Sequence, residues 1–208
     1  MTLGNVLWIG GSTCSGKSTI ADRIGERRGL SVYHLDEREQ EHAERATAAG
    51  FAVYERWLSM TLTERWALSP VDELVSDTLA LSEERLPLIL EDVGDEPVVV
   101  EGFQLYPWLV APVLESPRQG IWLVCTADFR RATHFGRPHA WITPRKTDDP
   151  ERAQANRLER DDRIGEEIAR RGSELGLKVI VVDGSRGIDE IAAETEAHLE
   201  LATLDSSR

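Results

Sequence analysis

A three-layer α/β domain built on a parallel sheet is the fold class this sequence predicts, and two observations carry that expectation. Short apolar runs recur along the chain, and each is followed by a stretch with helical patterning. The runs are continuous rather than alternating, as strands covered by helices on both faces require. At 208 residues the chain has the length of a single domain and can bury a core without disulfides or a structural metal.

The expected strands are Val6–Ile9, Leu30–Leu35, Val98–Val100, Ile121–Cys125 and Val179–Val182. The expected helices are Lys17–Arg28, a long acidic stretch from Asp36 to Val93, Tyr106–Leu114, Asp128–His134, Pro150–Leu175 and Gly187–Leu201. Helix punctuation supports several of these. Ser69-Pro70-Val71-Asp72 offers an N-cap, a proline at the first helical position and an acid in the first turn, and Asp149-Pro150 repeats the pattern. Gly176 stands where a helix ending at Leu175 needs a left-handed residue. Pro87 should kink or split the 70–93 segment. The 61 residues from Asp36 to Glu96 exceed a simple crossover and read as an inserted helical cap. Its stripe of Tyr54, Trp57, Leu58, Leu62 and Trp66 is expected to pack onto the body rather than to stack on a substrate.

Charge limits the choice of partner. With 24 Lys and Arg against 37 Asp and Glu the net charge is −13, so the surface repels nucleic-acid backbones and anionic lipid. Any anionic ligand must be held by local dipoles and a few placed cations. The two cysteines, Cys14 and Cys125, form no CxxC pair, which argues against a disulfide framework or a cysteine zinc site. The opening MTLGNVLWIGG has no cationic region ahead of its apolar stretch, and no run approaches the roughly 20 apolar residues that span a bilayer. A cytoplasmic location is therefore expected, with a homodimer as the default assembly.

The most specific signal is Gly11-Ser12-Thr13-Cys14-Ser15-Gly16-Lys17-Ser18, a full match to GxxxxGK[ST], with Thr19 following. Its strand-then-helix context is the one in which successive backbone N–H groups curl inward around phosphate at a helix N-terminus. Lys17 is expected to neutralise β- and γ-phosphate oxygens and the Ser18 hydroxyl to ligate Mg²⁺. Two acids stand at the ends of the following strands, Asp36 after Val32–Leu35 and Glu101 after Val98–Val100. Ligands of open parallel sheets bind outside the carboxyl ends of the strands, so both acids should face the same crevice as Lys17. Glu101 is expected to hold Mg²⁺ or its water, and Asp36 to take the proton of a substrate hydroxyl.

The phosphate loop, the His34-Leu35-Asp36 strand end and Val98-Val99-Val100-Glu101-Gly102 together resemble the P-loop kinases of small metabolites, such as nucleoside, shikimate and gluconate kinases. Glu101-Gly102-Phe103-Gln104-Leu105-Tyr106-Pro107 is also similar to the corresponding segment of 2-phosphoglycerate-kinase-like proteins. The resemblance implies a three-layer α/β/α P-loop NTPase fold with strand order 2-3-1-4-5. It further implies that residues 37–96, which match nothing beyond the order of elements, bind the acceptor, and that an arginine-bearing lid spans about 131–150.

Arginines are present where such a lid would lie. Arg130, Arg131, Arg137, Arg145 and Lys146 surround Gly136, Pro138 and Pro144, and the next helix carries Arg157, Arg160 and Arg163. Arg137 and Arg157 are the expected partners of the transferring phosphoryl group. The rival reading pairs these cations with Glu159, Asp161, Asp162, Glu166 and Glu167. The loop Val182–Gly187 is placed against the nucleotide base only by the resemblance, since turn chemistry explains its composition. Arg145-Lys146-Thr147-Asp148 departs from a guanine-reading motif at its first residue, which favours ATP over GTP. Histidines 34, 42, 134, 139 and 198 show no metal spacing beside an acid.

The expectation is an ATP- and Mg²⁺-dependent kinase of a small hydroxyl-bearing acceptor, with neither nucleic acid nor membrane as partner. A nucleoside-monophosphate kinase, drawing on Arg38, Arg45, Arg56 and Arg65, is one alternative. A nucleotide-binding switch or ATPase without a small-molecule acceptor is the other. Acids Glu37, Glu39, Glu41 and Glu44 hint at a cationic acceptor, although solvated helix acids explain the same run better.

Overall fold

Continuous apolar runs become strands here, covered on both faces in the middle of the sheet and partly open at its two edges. The computed structural model describes residues 4–136 and 140–199. The strands are β1 (Val6–Gly11), β2 (Ser31–His34), β3 (Val98–Glu101), β4 (Gly120–Cys125) and β5 (Lys178–Val182), all parallel, in the order β2-β3-β1-β4-β5. This is the order implied by the resemblance. Along β1, Leu7 and Ile9 point to one layer and Val6 and Trp8 to the other, and β4 repeats the division with Ile121 and Leu123 against Trp122 and Val124.

Helices α1 (Lys17–Arg28) and α8 (Ile188–His198) cover the first face through Ile20, Ala21, Ile24, Ile191 and Ala192. The second face receives Ile164 and Ile168 of α7 (Pro150–Glu174), Val110 of α5 (Pro107–Val110) and Ile89 of α4 (Val71–Asp92). The result is a three-layer α/β/α P-loop NTPase fold. No helix among the described residues is long and apolar enough to cross a membrane.

Between β2 and β3 the expected long helical stretch is several pieces. A 3₁₀ turn (Leu35–Arg38) leads into α2 (Glu39–Ala48), α3 (Ala52–Ser59), a π-helical turn (Glu64–Leu68) and α4. These inserted helices have their own core of Ala46, Tyr54, Trp57, Leu74, Leu81 and Leu88, with Trp66 packed against it. The aromatic stripe is therefore largely packing, although Leu58 is exposed.

Several boundaries differ from expectation. Strand β2 ends at His34, so Asp36 lies in the 3₁₀ turn and not at a strand end. Helix α4 is not split at Pro87, since Leu81, Leu88 and Ile89 bury the same face on both sides of the proline. It begins at Val71 with Pro70 in the cap position, and the Ser69 hydroxyl donates to Glu64 O (3.0 Å) instead of capping. The expected Tyr106–Leu114 helix is only one α turn followed by a 3₁₀ turn at Ala111–Val113. Asp149 does cap α7, accepting from Arg152 N at 3.0 Å, and Gly176 is left-handed after its end.

Candidate active site

The phosphate loop leaves β1 through a backbone that side chains would block. A Cβ at Gly11, whose φ is +127°, would meet Leu123 O at 2.0 Å. Cys14 is left-handed as well (φ 64°), and Gly16 takes φ 86° immediately before α1 opens at Lys17. These turns wind the loop so that the N-terminal N–H groups of α1 remain free of helical partners. Ser12 ties the loop to β4: its N–H donates to Leu123 O (2.9 Å), and its hydroxyl accepts from Cys125 N (2.9 Å). The Cys125 thiol donates to Thr13 O (2.9 Å) and the Ser15 hydroxyl to Ser12 O (2.8 Å). Lys17 is buried and its ammonium donates to Ser12 O (2.8 Å), folded back along the loop it would serve. Ser18 and Thr19 are exposed at the start of α1. Cys14 Sγ lies 3.9 Å from Nδ1 of His134, the last residue of α6 (Ala127–His134), so this histidine is held within the fold.

At the ends of β2 and β3 the structure adds a residue that motif spacing did not single out. His34 is in register with Glu101. Its Nδ1 donates to Glu101 Oε1 (2.8 Å) and its Nε2 faces Asp22 Oδ1 on α1 (3.1 Å). A ring that serves two carboxylates carries a proton on each nitrogen. Burial works against the charge, but the Glu101 bond and the charges of Glu101, Asp22 and Glu37 outweigh it and raise the His34 pKa. Glu101 itself is only 3% exposed, as an acid ending a covered strand must be, and this imidazolium is its compensation. Asp36 is exposed on the 3₁₀ turn two residues beyond His34. The turn is fixed from behind, where Arg85 donates to Leu35 O (2.6 Å).

The third wall is α7, and here the rival reading of the arginines holds for most of them. Arg130, buried beneath the loop, pairs with Asp162, which Arg131 also meets at 3.0 Å. Arg163 is bound by Asp72 and by Glu159 (2.6 Å). Asp161 is buried, accepts from the Thr13 hydroxyl (2.8 Å) and from Arg160 Nε (2.9 Å), and so joins α7 to the phosphate loop. Burial opposes its charge, but Arg160, Thr13 and Arg130 together hold its carboxyl below the usual range. Arg137 and His139 lie outside the described residues.

Arg157 shares with Arg130 two buried nitrogens without an acceptor, but among the described residues no carboxylate pairs with it. Its guanidinium lies over the ring of Trp66 on the π-helical turn (5.4 Å), and its buried Nε and Nη1 meet no acceptor. Arg160 lies over the same indole (4.9 Å) and over Phe103 after β3 (5.6 Å). Across Trp66, which meets Trp57 edge-on at 5.4 Å, Arg65 lies over the Trp57 ring with its Nε unpartnered, and the Tyr54 hydroxyl is buried without a partner. The other arginines considered for an acceptor phosphate are otherwise engaged: Arg45 with Asp92 and Glu91, Arg56 with Asp77, and Arg38 with Glu41.

At the far end of the sheet the loop after β5 is an Asx-type turn, in which Asp183 accepts from the N–H (2.9 Å) and hydroxyl (2.6 Å) of Ser185. Among the described residues no group of three or more His, Cys, Asp or Glu side chains could hold a metal by itself.

The chain is similar to several solved structures. A gluconokinase from Sinorhizobium meliloti 1021 matches with TM-score 0.45 and 19% identity, over 96% of this chain and 93% of that one. YorR from Bacillus subtilis, in complex with phosphorylated GDP, gives 0.44 and 15% over 94% and 96%. TT1252 from Thermus thermophilus gives 0.46 and 20% over 91% and 96%. No protein-family model matches the sequence, and no curated protein matches it.

Proposed function

We propose that the protein is an ATP-dependent phosphotransferase acting on a hydroxyl group of a small molecule. The observation that carries this reading is the loop itself. A GxxxxGK[ST] segment is wound by left-handed residues onto the N-terminus of α1, with a buried ammonium and a buried strand-end carboxylate beside it. In this reading residues 11–19 cradle the triphosphate, and Lys17 leaves Ser12 O for the β- and γ-phosphate oxygens.

The site suits magnesium better than a metal held by protein alone. Mg²⁺ takes one or two protein oxygens and fills its remaining positions with phosphate and water. Ser18 and Glu101 would hold it, and it would neutralise charge on the phosphates. His34 fixes the orientation of the Glu101 carboxylate through its Nδ1 contact (2.8 Å). Asp36 receives the acceptor's proton from an exposed position whose backbone is pinned by Arg85. The inserted helices bind the acceptor, and the segment from α6 to α7, with Arg137, closes over the reacting groups and excludes water.

Two variants test the reading against a panel of hydroxyl-bearing metabolites assayed for ADP formation. Lys17→Ala should lower phosphotransfer by at least 10²–10³-fold, as loss of one preorganised donor does in other acyl- and phosphoryl-transfer sites. Asp36→Asn should bind MgATP almost as the parent does yet lose most turnover. Unchanged turnover in Asp36→Asn removes the base assignment and favours a phosphate acceptor, whose oxygen needs no deprotonation. Absence of MgATP binding to the parent protein ends the phosphotransferase reading.

A further inference from the structure

Buried hydrogen-bond donors in folded proteins nearly always find a partner, and a guanidinium with two buried nitrogens and no acceptor for either needs a reason. At the seam between the π-helical turn and α7, Arg157 Nε and Nη1 and Arg65 Nε lack partners, as does the Tyr54 hydroxyl on α3; Arg130 Nε and Nη2 and the Gln154 Oε1 acceptor on α7 are in the same condition. All of these but Gln154 Oε1 can donate, so donors outnumber acceptors among them. Two aromatic faces, Trp66 and Phe103, lie against the cations. The acids nearby are already committed, with Asp161 serving Thr13 and Arg160, and Glu39 serving Arg85. In a chain of net charge −13 this local excess of donors and positive charge runs against the composition.

The acidic run that hinted at a cationic acceptor does not reach this seam. Glu37, Glu39, Glu41 and Glu44 are exposed. Glu41 meets Arg38 and Arg45, while Glu44 accepts from Gln40 (3.0 Å). Burial and the neighbouring Arg160 also depress the Arg157 pKa, as happens when a cation is kept out of water before its counter-ion arrives.

We infer that the acceptor is an anion, a carboxylate or phosphate ester bearing the reactive hydroxyl, and that its charged group is received by the fork of Arg157 beside Arg160 and Trp66. The inference rests on the phosphotransferase reading for the word acceptor, but the anion site stands on these residues alone. Because Nε and Nη1 are sealed in this structure, the anion enters as the π-helical turn parts from α7. That seam is held by Asn156, which donates to Trp66 O (3.0 Å) and Ala67 O (3.3 Å).

Calorimetric titration of the full chain, loaded with Mg²⁺ and a non-hydrolysable ATP analogue so that the phosphate loop is filled, tests this. The probes are inorganic phosphate and D-glycerate, with glycerol and 2-aminoethanol as neutral and cationic controls. Saturable binding of at least one anion and of neither control is expected. Arg157→Met should weaken that binding roughly tenfold or more, as loss of a charged hydrogen-bonding partner does. The same variant, free of ligand, should melt about 2–4 °C higher, since it removes a partly buried charge with two unsatisfied donors. Arg157→Gln, which keeps a polar stem, should show the same loss of anion binding.

A lower melting temperature for both variants would make Arg157 structural and overturn the inference. So would anion binding that survives both substitutions, or binding of glycerol equal to that of glycerate. If Arg157→Met weakens the nucleotide analogue as much as the anions, its partner is the donor phosphate and the acceptor assignment falls. Should the parent bind no nucleotide, the same titrations on unloaded Lys17→Ala separate the two ideas. Retained, Arg157-dependent anion binding there upholds the site while the kinase reading fails, and its loss overturns the site as well.

Discussion

Two arginines of the same protein, Arg85 on α4 and Arg157 on α7, are both largely withdrawn from water and yet are treated in opposite ways. Arg85, 1% exposed, donates to His42 Nδ1 (2.8 Å), Leu35 O (2.6 Å), Glu39 and Gln104 (2.5 Å each). Its neighbours continue the arrangement, because His42 Nε2 donates to Asp92 (2.8 Å), which also accepts from Tyr33 (2.6 Å) and Arg45. Arg157 has an indole face and no acceptor for two of its nitrogens. The first region fastens the inserted helices to the edge of the sheet, and the second is where the anion site is proposed. Satisfaction of donors, more than burial, is what sets Arg85 apart from Arg157.

The largest effect that would sharpen this contrast is the loss of Arg85. Arg85→Met leaves Leu35 O, Gln104 and Glu39 without their donor and should cost about 3–5 kcal/mol in urea unfolding, the range for breaking a buried charged cluster. It should also loosen the turn that carries Asp36. A stability loss no larger than that of Arg157→Met would erase the distinction between the two regions.

An intermediate effect follows from acid. His42 accepts from Arg85 and donates to Asp92, so it is neutral, and burial with the charges of Arg85 and Arg45 holds its pKa below the ordinary 6.5 despite the Asp92 bond. As pH falls below about 6.5, unfolded chains take up a proton that the folded His42 refuses, and stability declines until the folded-state value is passed. Asp92 acts lower on the scale. Burial opposes its ionisation, yet Tyr33, His42 and Arg45 bring its pKa from 3.8 to about 2. Its contribution is therefore complete above pH 3.8 and lost as pH drops toward 2, at most about 2 kcal/mol. Urea unfolding followed from pH 7 to pH 3 should show both declines, and His42→Gln should flatten the first.

The smallest effect belongs to the solvated face of α7. Arg170 meets Glu167 (2.6 Å) and Glu174 (2.8 Å) at helical spacing, all three outside the core. Arg170→Ala should change stability by less than about 0.5 kcal/mol and phosphotransfer not at all. A large loss would show that ion pairs on this helix matter as much as the Arg85 cluster.

What was legible in the sequence follows the range of the interactions concerned. The phosphate loop and its flanks are local: glycines at fixed offsets, an apolar run before and an amphipathic helix after. Strands buried on both faces announce themselves by continuous Val, Ile and Leu, which is why the five runs were found within a residue or two. Strand order came only through resemblance, because nothing in β2 or β3 says which neighbours β1. The end of β2 was misplaced because Leu35 is as apolar as a strand residue, although it is buried in a 3₁₀ turn. The role of His34 is not legible from its segment, because its partners, Asp22 and Glu101, stand 12 and 67 positions away. The unpaired state of Arg157 was invisible for the same reason. It depends on Trp66, 91 positions earlier, and on acids such as Asp161 and Asp162 being engaged elsewhere.

Asp161 stands one residue after Arg160 and one turn after Arg157, and it grips Thr13 of the phosphate loop. The two ends of the proposed reaction therefore share a single helical turn as their common fulcrum. Whatever displaces that turn on one side is felt on the other, and thermodynamic reciprocity demands that each occupant alter the affinity of the other by the same factor. On the proposed reading, this shared turn would let each guest register the arrival of the other.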